Sequence, residues 1–291
     1  MTMGTTTLRD ALRTAQAQRQ IIPFVGIYDL FSASLAADRY DALFVSGFGL
    51  AASAFALPDV GFIGWGDLSS TTSRLRALLP DHHLLVDLDD GFGDATVASH
   101  VARTLERNGA SGVVLEDQAR PRRCGHLDGK NLLPLQEYLA KLEAVLNHRS
   151  SMLVVARTDA SEPDEILTRV RAFEQVGCDA VLADGIKDLT LIAELRRAVS
   201  CPVFCNVIAG GKVPACSRAD LARQGVQGLI YSTPCLLLPR RPSSERWRAS
   251  PTRAWNLSMH CPAVGSSPTA MPSSKPISGG RQGHEPLSAA I

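Results

Sequence analysis

Short apolar runs alternate with amphipathic helical stretches through residues 20–232, and this alternation restricts the fold more than any other feature. A repeat of strand and helix builds a parallel sheet that is covered by helices. No glycine-rich phosphate-binding pattern follows the first run, which disfavours an open, doubly wound sheet. We therefore predict an α/β protein with a (β/α)8 TIM-type barrel in residues 1–234. The eight predicted strands are residues 21–27, 42–46, 84–87, 112–116, 152–157, 180–183, 203–206 and 228–232.

Two of the intervening helices have clear limits in the sequence. Residues 163–177 begin with a proline and two acidic residues and end on a glycine, as helices do. A second helix should begin after Asp94 and place Val97, Val101 and Leu105 on one face. Further helices are expected after residues 134, 188 and 217.

Composition excludes several classes of protein. The net charge of +1 gives no overall attraction to nucleic acid or to a membrane surface. No run of about 18 apolar residues is present, and the polar N-terminus, with Leu8, Leu12 and Ala15 on one helical face, does not resemble a signal peptide. Seven cysteines without a CxxC pair argue against a zinc ribbon or a disulfide scaffold. We expect a cytoplasmic protein that binds neither nucleic acid nor membrane.

Residues 235–291 break the barrel pattern. They contain eight of the 17 prolines and ten serines, and no helical period continues for more than a turn. We predict an irregular tail, and a barrel that lacks a regular eighth helix. Either the tail is disordered or the reading frame changes near Leu236. If the C-terminal segment is native, we expect a homo-oligomer.

Three acidic residues point to a metal site. Asp87 and Asp89 follow a buried apolar run, and strand alternation would turn both to one side. Like charges at that distance require a cation or a shared proton, and Mg²⁺ with oxygen ligands is the simplest solution. Glu116 ends the next strand and could join the outer shell of the ion. The competing interpretation is a solvated turn that caps a helix.

A reactive cysteine is predicted in the loop after that strand. Arg122, Arg123 and His126 flank Cys124, and such positive neighbours would lower the pKa of the thiol. Gly125 lets the backbone approach a ligand closely. The alternative is a structural thiol with no chemical role.

Three further strand ends carry groups that suit a substrate. Arg157 could clamp a carboxylate or phosphoryl group, or could instead form a salt bridge with Asp159. Asp184 and Asn206 could hydrogen-bond substrate oxygens, or could simply close loops. The expected ligand is a small carboxylate or a phosphorus-containing compound.

Seven motifs occur in a fixed order along most of residues 7–232. They are Ser46-Gly47-Phe48-Gly49, Leu57-Pro58-Asp59-Val60-Gly61, Asp87-Leu88-Asp89, Glu116-Asp117-Gln118, Arg123-Cys124-Gly125-His126, Ala156-Arg157-Thr158-Asp159 and Asn206. This order resembles the isocitrate lyase and phosphoenolpyruvate mutase superfamily. The resemblance implies magnesium-dependent chemistry through an enolpyruvate-like state.

The resemblance also implies roles for individual residues. Asp87 and Asp89 would hold the ion, with Glu116 assigned to the same metal site. Asp59 would lie on a mobile loop over the site, and Cys124 would occupy the position of the catalytic cysteine. The residues assigned as catalytic are Cys124, Asp59, His126 and Arg157. Those assigned to substrate binding are Ser46, Gly47, Phe48, Arg122, Gly125, Asp184 and Asn206.

Departures from the superfamily pattern bear on the substrate. The lyases usually carry Lys where this chain has Arg122 and Glu where it has Asp184, and a small or apolar residue is usual at Asp90. On these departures we favour a carboxyphosphonoenolpyruvate phosphonomutase-type activity, which forms a C–P bond with decarboxylation in phosphinate antibiotic biosynthesis. The alternative is a carbon–carbon lyase of the methylisocitrate or 2,3-dimethylmalate type. A second alternative is a non-catalytic, metabolite-binding barrel.

Overall fold

The computed structural model describes residues 6–127 and 129–234, and its centre is a closed barrel of eight parallel strands. The strands are β1 Ile22–Ile27, β2 Ala42–Val45, β3 His83–Asp87, β4 Gly112–Glu116, β5 Leu153–Thr158, β6 Ala180–Ala183, β7 Val203–Asn206 and β8 Val226–Tyr231. Each strand pairs with its neighbour in chain order, and β1 pairs with β8 to close the barrel. The predicted barrel is confirmed, and no strand limit differs from the prediction by more than two residues.

Helices surround the barrel. In the described part of the chain they are α1 Leu8–Ala17, α2 Leu30–Ala37, α3 Gly47–Phe55, α4 Trp65–Leu78, α5 Ala95–Arg107, α6 Leu135–His148, α7 Pro163–Gln175, α8 Thr190–Ala198 and α9 Arg218–Gln224. Asp94 caps α5 as predicted. The buried stripe of α5 runs through Ala98, Val101 and Leu105, and Val97 lies at its edge.

The core has two apolar layers, because alternate side chains of each strand point to opposite faces of the sheet. One layer fills the barrel, with side chains such as Phe24, Phe44 and Phe204. Leu8 and Leu12 of α1 belong to the same layer, so α1 packs against the interior of the barrel. The other layer lies between the sheet and the outer helices.

Two sequence expectations concern regions beyond this barrel. The predicted tail of residues 235–291 and the missing eighth helix fall outside the described residues. Among the helices that are described, none is both long and apolar enough to span a bilayer.

Candidate active site

Polar side chains from five strands meet at one rim of the barrel. Asp87, Glu116 and Asn206 are the last residues of β3, β4 and β7. Arg157 lies one residue before the end of β5, and Asp184 directly follows β6. Because all strands are parallel, their carboxyl ends share one rim, which is where TIM barrels carry their active sites. The structure thus brings together the strand-end residues that the sequence singled out.

Asp87 and Asp89 converge beneath the N-terminus of α3. A Cβ placed on Gly47 would lie 3.4 Å from Asp87 Oδ2 and 3.3 Å from Asp89 Oδ1. Asp89 has a φ of 49°, in the left-handed region that few residues other than glycine adopt. This turn past the strand end, rather than strand alternation, brings Asp89 to the same place as Asp87. Both side chains are buried.

The electrostatics of these acids suit a divalent cation. Burial raises the pKa of Asp87, and it raises that of Asp89 well above the usual range, with the neighbouring charge of Asp87 adding to the effect. Asp89 Oδ1 and Glu116 Oε2 are buried without a hydrogen-bond partner. Carboxylate oxygens that accept no hydrogen bond are available as ligands of the type that Mg²⁺ prefers. The pair Asp87 and Asp89 therefore fits a magnesium ion.

Glu116 does not complete a three-carboxylate cluster. Within residues 6–127 and 129–234, no group of three or more His, Cys, Asp or Glu side chains is arranged to hold an ion directly. The Glu116 carboxylate instead faces two arginines, with Oε1 at 2.7 Å from Arg122 Nε and Oε2 at 3.2 Å from Arg157 Nη2. Mg²⁺ commonly keeps several waters and only one or two carboxylates, so Glu116 need not ligate the ion directly, and its outer-shell role stays a prediction.

Arg122 joins three carboxylates from separate parts of the chain. Its Nη1 lies 2.5 Å from Asp59 Oδ1, its Nη2 lies 3.1 Å from Asp89 Oδ1, and its Nε bonds to Glu116. The side chain is 3% exposed. Although burial disfavours the charge, Asp89, Glu116 and Asp59 raise the pKa of Arg122 well above its ordinary value. The guanidinium is therefore a permanent cation beside Asp87, Asp89 and Glu116, which we call the acid cluster.

Arg157 forms the second cationic centre. Its Nη2 lies 2.9 Å from Asp184 Oδ2, and its Nε lies 3.0 Å from Asp159 Oδ2. The salt bridge with Asp159, which the sequence left as an alternative to a ligand clamp, is thus present. Lys130 Nζ also contacts Asp159, at 2.9 Å from Oδ1. Gly125 packs against this group so closely that a Cβ there would collide with Asp184 and Arg157.

Cys124 carries a neutral thiol rather than the predicted thiolate. Burial, followed by the charge of Asp59, raises the pKa of the thiol to about 12. The expected positive neighbours do not compensate, because Arg122 is engaged with three carboxylates and Arg123 is exposed. The predicted low pKa is therefore wrong. At neutral pH this thiol is able to donate a proton.

The other predicted substrate groups are bonded to one another. Asn206 Nδ2 donates to Asp184 Oδ1 at 3.0 Å, and Ser232 Oγ donates to Asn206 Oδ1 at 2.6 Å. His126 Nε2 faces Asp184 Oδ1 at 3.5 Å. Burial alone would raise the pKa of Asp184, but Arg157, the nearby His126 ring and the hydrogen bond from Asn206 outweigh it and lower that pKa. Asp184 is therefore an ionised acceptor that orients its neighbours.

The Ser46 side chain caps α3, whereas the adjoining backbone at Gly47 lies beside Asp87 and Asp89. Ser46 Oγ accepts a hydrogen bond from the Gly49 N–H at 3.0 Å and caps α3. The N–H groups of Gly47 and Phe48 lie in the first turn, where no intrahelical acceptor exists. Together with the positive end of the helix dipole, these groups are suited to a substrate carboxylate.

Sequence reasoning missed two basic residues that shape the site. Arg120 forms a two-point ion pair with buried Asp90, at 2.6 Å from Nε to Oδ2 and 2.8 Å from Nη2 to Oδ1. Lys130 donates to the Gly125 carbonyl as well as to Asp159. No local pattern in the sequence identifies Arg120 as the partner of Asp90 or Lys130 as the partner of Asp159, because both contacts depend on how the loop after β4 folds.

Comparison with known proteins decides the family. Residues 12–237, more than half of the chain, match the family model described as phosphoenolpyruvate phosphomutase. The chain belongs to this family. It is accordingly an enzyme of the superfamily of phosphonomutases and carbon–carbon lyases, and the resemblance seen in the sequence is confirmed.

Relatives of this family member carry several activities in their names. It is 31% identical over 225 residues to 2-methylisocitrate lyase of Aeropyrum pernix, covering 76% of this chain and 72% of that protein. It is 29% identical over 233 residues to the chloroplastic carboxyvinyl-carboxyphosphonate phosphorylmutase of Arabidopsis thaliana, covering 77% and 69%. A crystal structure of 2,3-dimethylmalate lyase superimposes with a TM-score of 0.74 at 27% identity, covering 79% of each chain.

Proposed function

We propose that this enzyme cleaves a carbon–carbon bond in a 2-hydroxy acid with two or three carboxylates and releases a 2-oxo acid. The observation that carries the proposal is the neutral thiol of Cys124, whose pKa is raised to about 12 beside an acid cluster suited to magnesium. A lyase needs a proton donor for the carbanion that its cleavage leaves. The relatives named 2-methylisocitrate lyase and 2,3-dimethylmalate lyase support this choice.

Two features at the rim would bind the substrate, namely the N-terminus of α3 and the magnesium site. One substrate carboxylate would accept hydrogen bonds from the N–H groups of Gly47 and Phe48. Asp87 and Asp89 would hold the magnesium ion, with Glu116 in its outer shell. When bound, the ion supplies positive charge that stabilises the negative charge developing on substrate oxygens. Arg157 would act with Asp184 and His126 to orient the second half of the substrate.

The reaction then requires one proton acceptor and one proton donor. We assign Asp59 as the acceptor of the substrate hydroxyl proton. As that oxygen becomes a carbonyl, the carbon–carbon bond breaks and its electron pair remains on the departing half. The thiol of Cys124 donates its proton to that carbon, and solvent restores the proton to the thiol. Asp59 releases its proton to solvent, so the cycle balances.

Charge explains why we prefer the lyase over the phosphonomutase that the sequence departures favoured. The acidic side chains at the rim are Asp59, Asp87, Asp89, Glu116, Asp159 and Asp184, and the buried cations among them are Arg122, Lys130 and Arg157. Both guanidinium groups already face three carboxylates each. A phosphorus group with several anionic oxygens would need cations that are not so engaged, whereas a hydroxy acid with two carboxylates carries less charge to neutralise.

The phosphonomutase is our second candidate. It is favoured by the 29% identity with carboxyvinyl-carboxyphosphonate phosphorylmutase. In this reaction phosphorus would move from the enol oxygen to the enol carbon with loss of carbon dioxide. The same thiol would be available to supply a proton to the product.

Parallel assays of the purified enzyme with MgCl₂ test the choice. We expect 2-oxo acid release from 2-methylisocitrate or 2,3-dimethylmalate, and loss of at least about 100-fold in kcat for Cys124→Ser. Cys201→Ser is the matched control, since Cys201 is half-buried and lies two residues before β7, at the other end of the barrel. Carbon dioxide release and a new C–P signal in phosphorus NMR with carboxyphosphonoenolpyruvate, without lyase turnover, would overturn the proposal in favour of the second candidate.

A further inference from the structure

Arg122 holds together two carboxylates of the acid cluster and one from a separate loop. We propose that Arg122 is a positioning residue that compensates the acid cluster when no divalent ion is bound, and that it couples this cluster to the position of Asp59. This inference rests on the magnesium site of the proposed function but not on the reaction catalysed there. It assigns to Arg122 a role other than substrate binding.

The shape of the guanidinium allows Arg122 to contact three carboxylates at once. Its Nε, Nη1 and Nη2 atoms each face a different carboxylate, those of Glu116, Asp59 and Asp89. A planar group with five N–H donors can serve three partners at fixed angles, whereas an ammonium is a compact point charge on a flexible stem. A lysine here would keep the charge but lose the fixed three-way arrangement.

The three carboxylate contacts of Arg122 are not equivalent. Arg122 makes hydrogen bonds to Glu116 and Asp59. Asp89 Oδ1 lies within 3.1 Å of Nη2 but receives no hydrogen bond. Asp89 can therefore turn to a metal ion while Arg122 keeps its two bonded partners. The ion and the guanidinium would then be two close positive charges, and their repulsion lowers the affinity for the ion.

Further contacts join the loop that carries Asp59 to Arg122 and to the Cys124 loop. The carbonyl of Asp59 accepts a hydrogen bond from the Cys124 N–H at 3.0 Å. A Cβ on Gly61 would lie 3.4 Å from Cγ of Arg122, so the aliphatic stem of the arginine packs under the same segment. Both the stem and the guanidinium of Arg122 thus hold residues 57–63 against the Cys124 loop. This placement fixes the position of Asp59 relative to the carboxylates of Asp89 and Glu116.

Two variants separate the charge of Arg122 from its shape. Arg122→Met removes the charge and keeps most of the stem, while Arg122→Lys keeps the charge and removes the fork. Arg123→Met is the matched control, because the neighbouring arginine is exposed. Thermal unfolding in chelator, Mg²⁺ titration by calorimetry and amide hydrogen exchange of residues 57–63 are measured for all three and for the wild type.

We expect Arg122→Met to have a lower Tm in chelator, because the buried acids lose their cation, and to bind Mg²⁺ about 10-fold more tightly. We expect Arg122→Lys to bind Mg²⁺ much as the wild type does and to exchange residues 57–63 faster. Arg123→Met should match the wild type in every measurement. If Arg122→Met does not fold, the exchange of Arg122→Lys still decides the coupling.

Wild-type Mg²⁺ affinity in a folded Arg122→Met, or wild-type exchange of residues 57–63 in Arg122→Lys, would overturn the inference. Failure of the proposed function looks different. A wild type that binds Mg²⁺ but turns over no hydroxy acid refutes the reaction and leaves the Arg122 role intact. A wild type that binds no Mg²⁺ refutes the metal site and the cationic role built on it.

Discussion

The backbone N–H of Lys212 donates a hydrogen bond to Nδ1 of His126, with 3.0 Å between the two nitrogens. The donor is an amide, so Nδ1 must present its lone pair, and a neutral ring carries its proton on Nε2. That nitrogen faces Asp184 Oδ1 at 3.5 Å. Gly211 permits the approach, since a Cβ there would lie 2.6 Å from Nδ1. The loop after β7 therefore selects the tautomer of a residue on the loop after β4.

The tautomer can be read directly by nitrogen NMR of the histidine ring. We expect the wild type to show a protonated Nε2 for His126. Lys212→Pro removes the N–H that selects this form and should produce a mixture of tautomers, whereas Lys212→Ala keeps the N–H and should not. A protonated Nδ1 in the wild type would contradict the assignment.

A second prediction concerns the reactivity of Cys124. Because its pKa is raised to about 12, the fraction of thiolate at neutral pH should be roughly 1,000-fold lower than for an ordinary cysteine of pKa about 8.5–9. In chelator, alkylation of Cys124 should therefore be slower than that of a cysteine in a short unstructured peptide by a factor of this order.

Peptide mass spectrometry follows the label at each cysteine, with Cys124→Ser to confirm the assignment. Labelling of Cys124 at the peptide rate near pH 7.5 would show that the thiol is ionised. The sequence-based expectation of a reactive thiolate would then be restored, and the proton-donor role would be lost.

The parts of the site that the sequence predicted are those fixed by strand position. Asp87, Glu116 and Arg157 each follow an apolar run, and parallel strands in chain order necessarily bring such ends to one rim. The alternation of apolar runs with helices was also sufficient for the barrel. These inferences need only local pattern and the rules of parallel sheets.

The parts that could not be predicted depend on which side chains meet across loops. Arg122 lies in the loop after β4, but one of its partners is Asp59, which is 63 residues away in the sequence. The neighbours of Cys124 in the chain are basic, yet burial and then the charge of Asp59 dominate and raise the pKa of its thiol. Sequence proximity was therefore a poor guide to the electrostatics of this loop.

A third prediction is that the metal-free enzyme becomes less stable as the pH rises from 5 to 7. Burial raises the pKa of Glu116 from 4.5 to about 7 and that of Asp117 from 3.8 to about 6. Between the unfolded and folded values the native state binds more protons, so stability decreases with rising pH. Glu116 alone contributes a slope of up to about 1.4 kcal/mol per pH unit. His83, whose pKa is lowered by burial, opposes this trend.

Chemical unfolding in chelator at several pH values measures the slope, and Glu116→Gln isolates the contribution of Glu116. We expect the variant to show a flatter dependence than the wild type between pH 5 and 7, while His83 and Asp117 affect both proteins alike. Identical slopes would mean that Glu116 is ionised throughout this range and that Arg122 and Arg157 compensate its burial in full.

The last prediction concerns the close packing of Gly125 against the Arg157 ion pairs. A Cβ on Gly125 would collide with Asp184 Oδ2 and Arg157 Nη2 and would lie 2.8 Å from Asp159 Oδ1. These atoms are held in ion pairs and cannot move aside without breaking them. Gly125→Ala should therefore cost about 1–3 kcal/mol of stability and lower kcat by at least about 10-fold.

Gly66→Ala is the matched control for Gly125→Ala. Gly66 lies in α4 with no atom within 4 Å of its hypothetical Cβ, so the added methyl group meets nothing and the loss of backbone freedom in the unfolded chain should stabilise the protein by about 0.5–1 kcal/mol. Urea unfolding and steady-state kinetics compare the two variants. Because both add the same methyl group to a glycine, a difference in sign isolates the contact with the ion pairs. If Gly125→Ala instead gains stability like Gly66→Ala and keeps its kcat, Arg157 and Asp184 do not press against the backbone of the Cys124 loop.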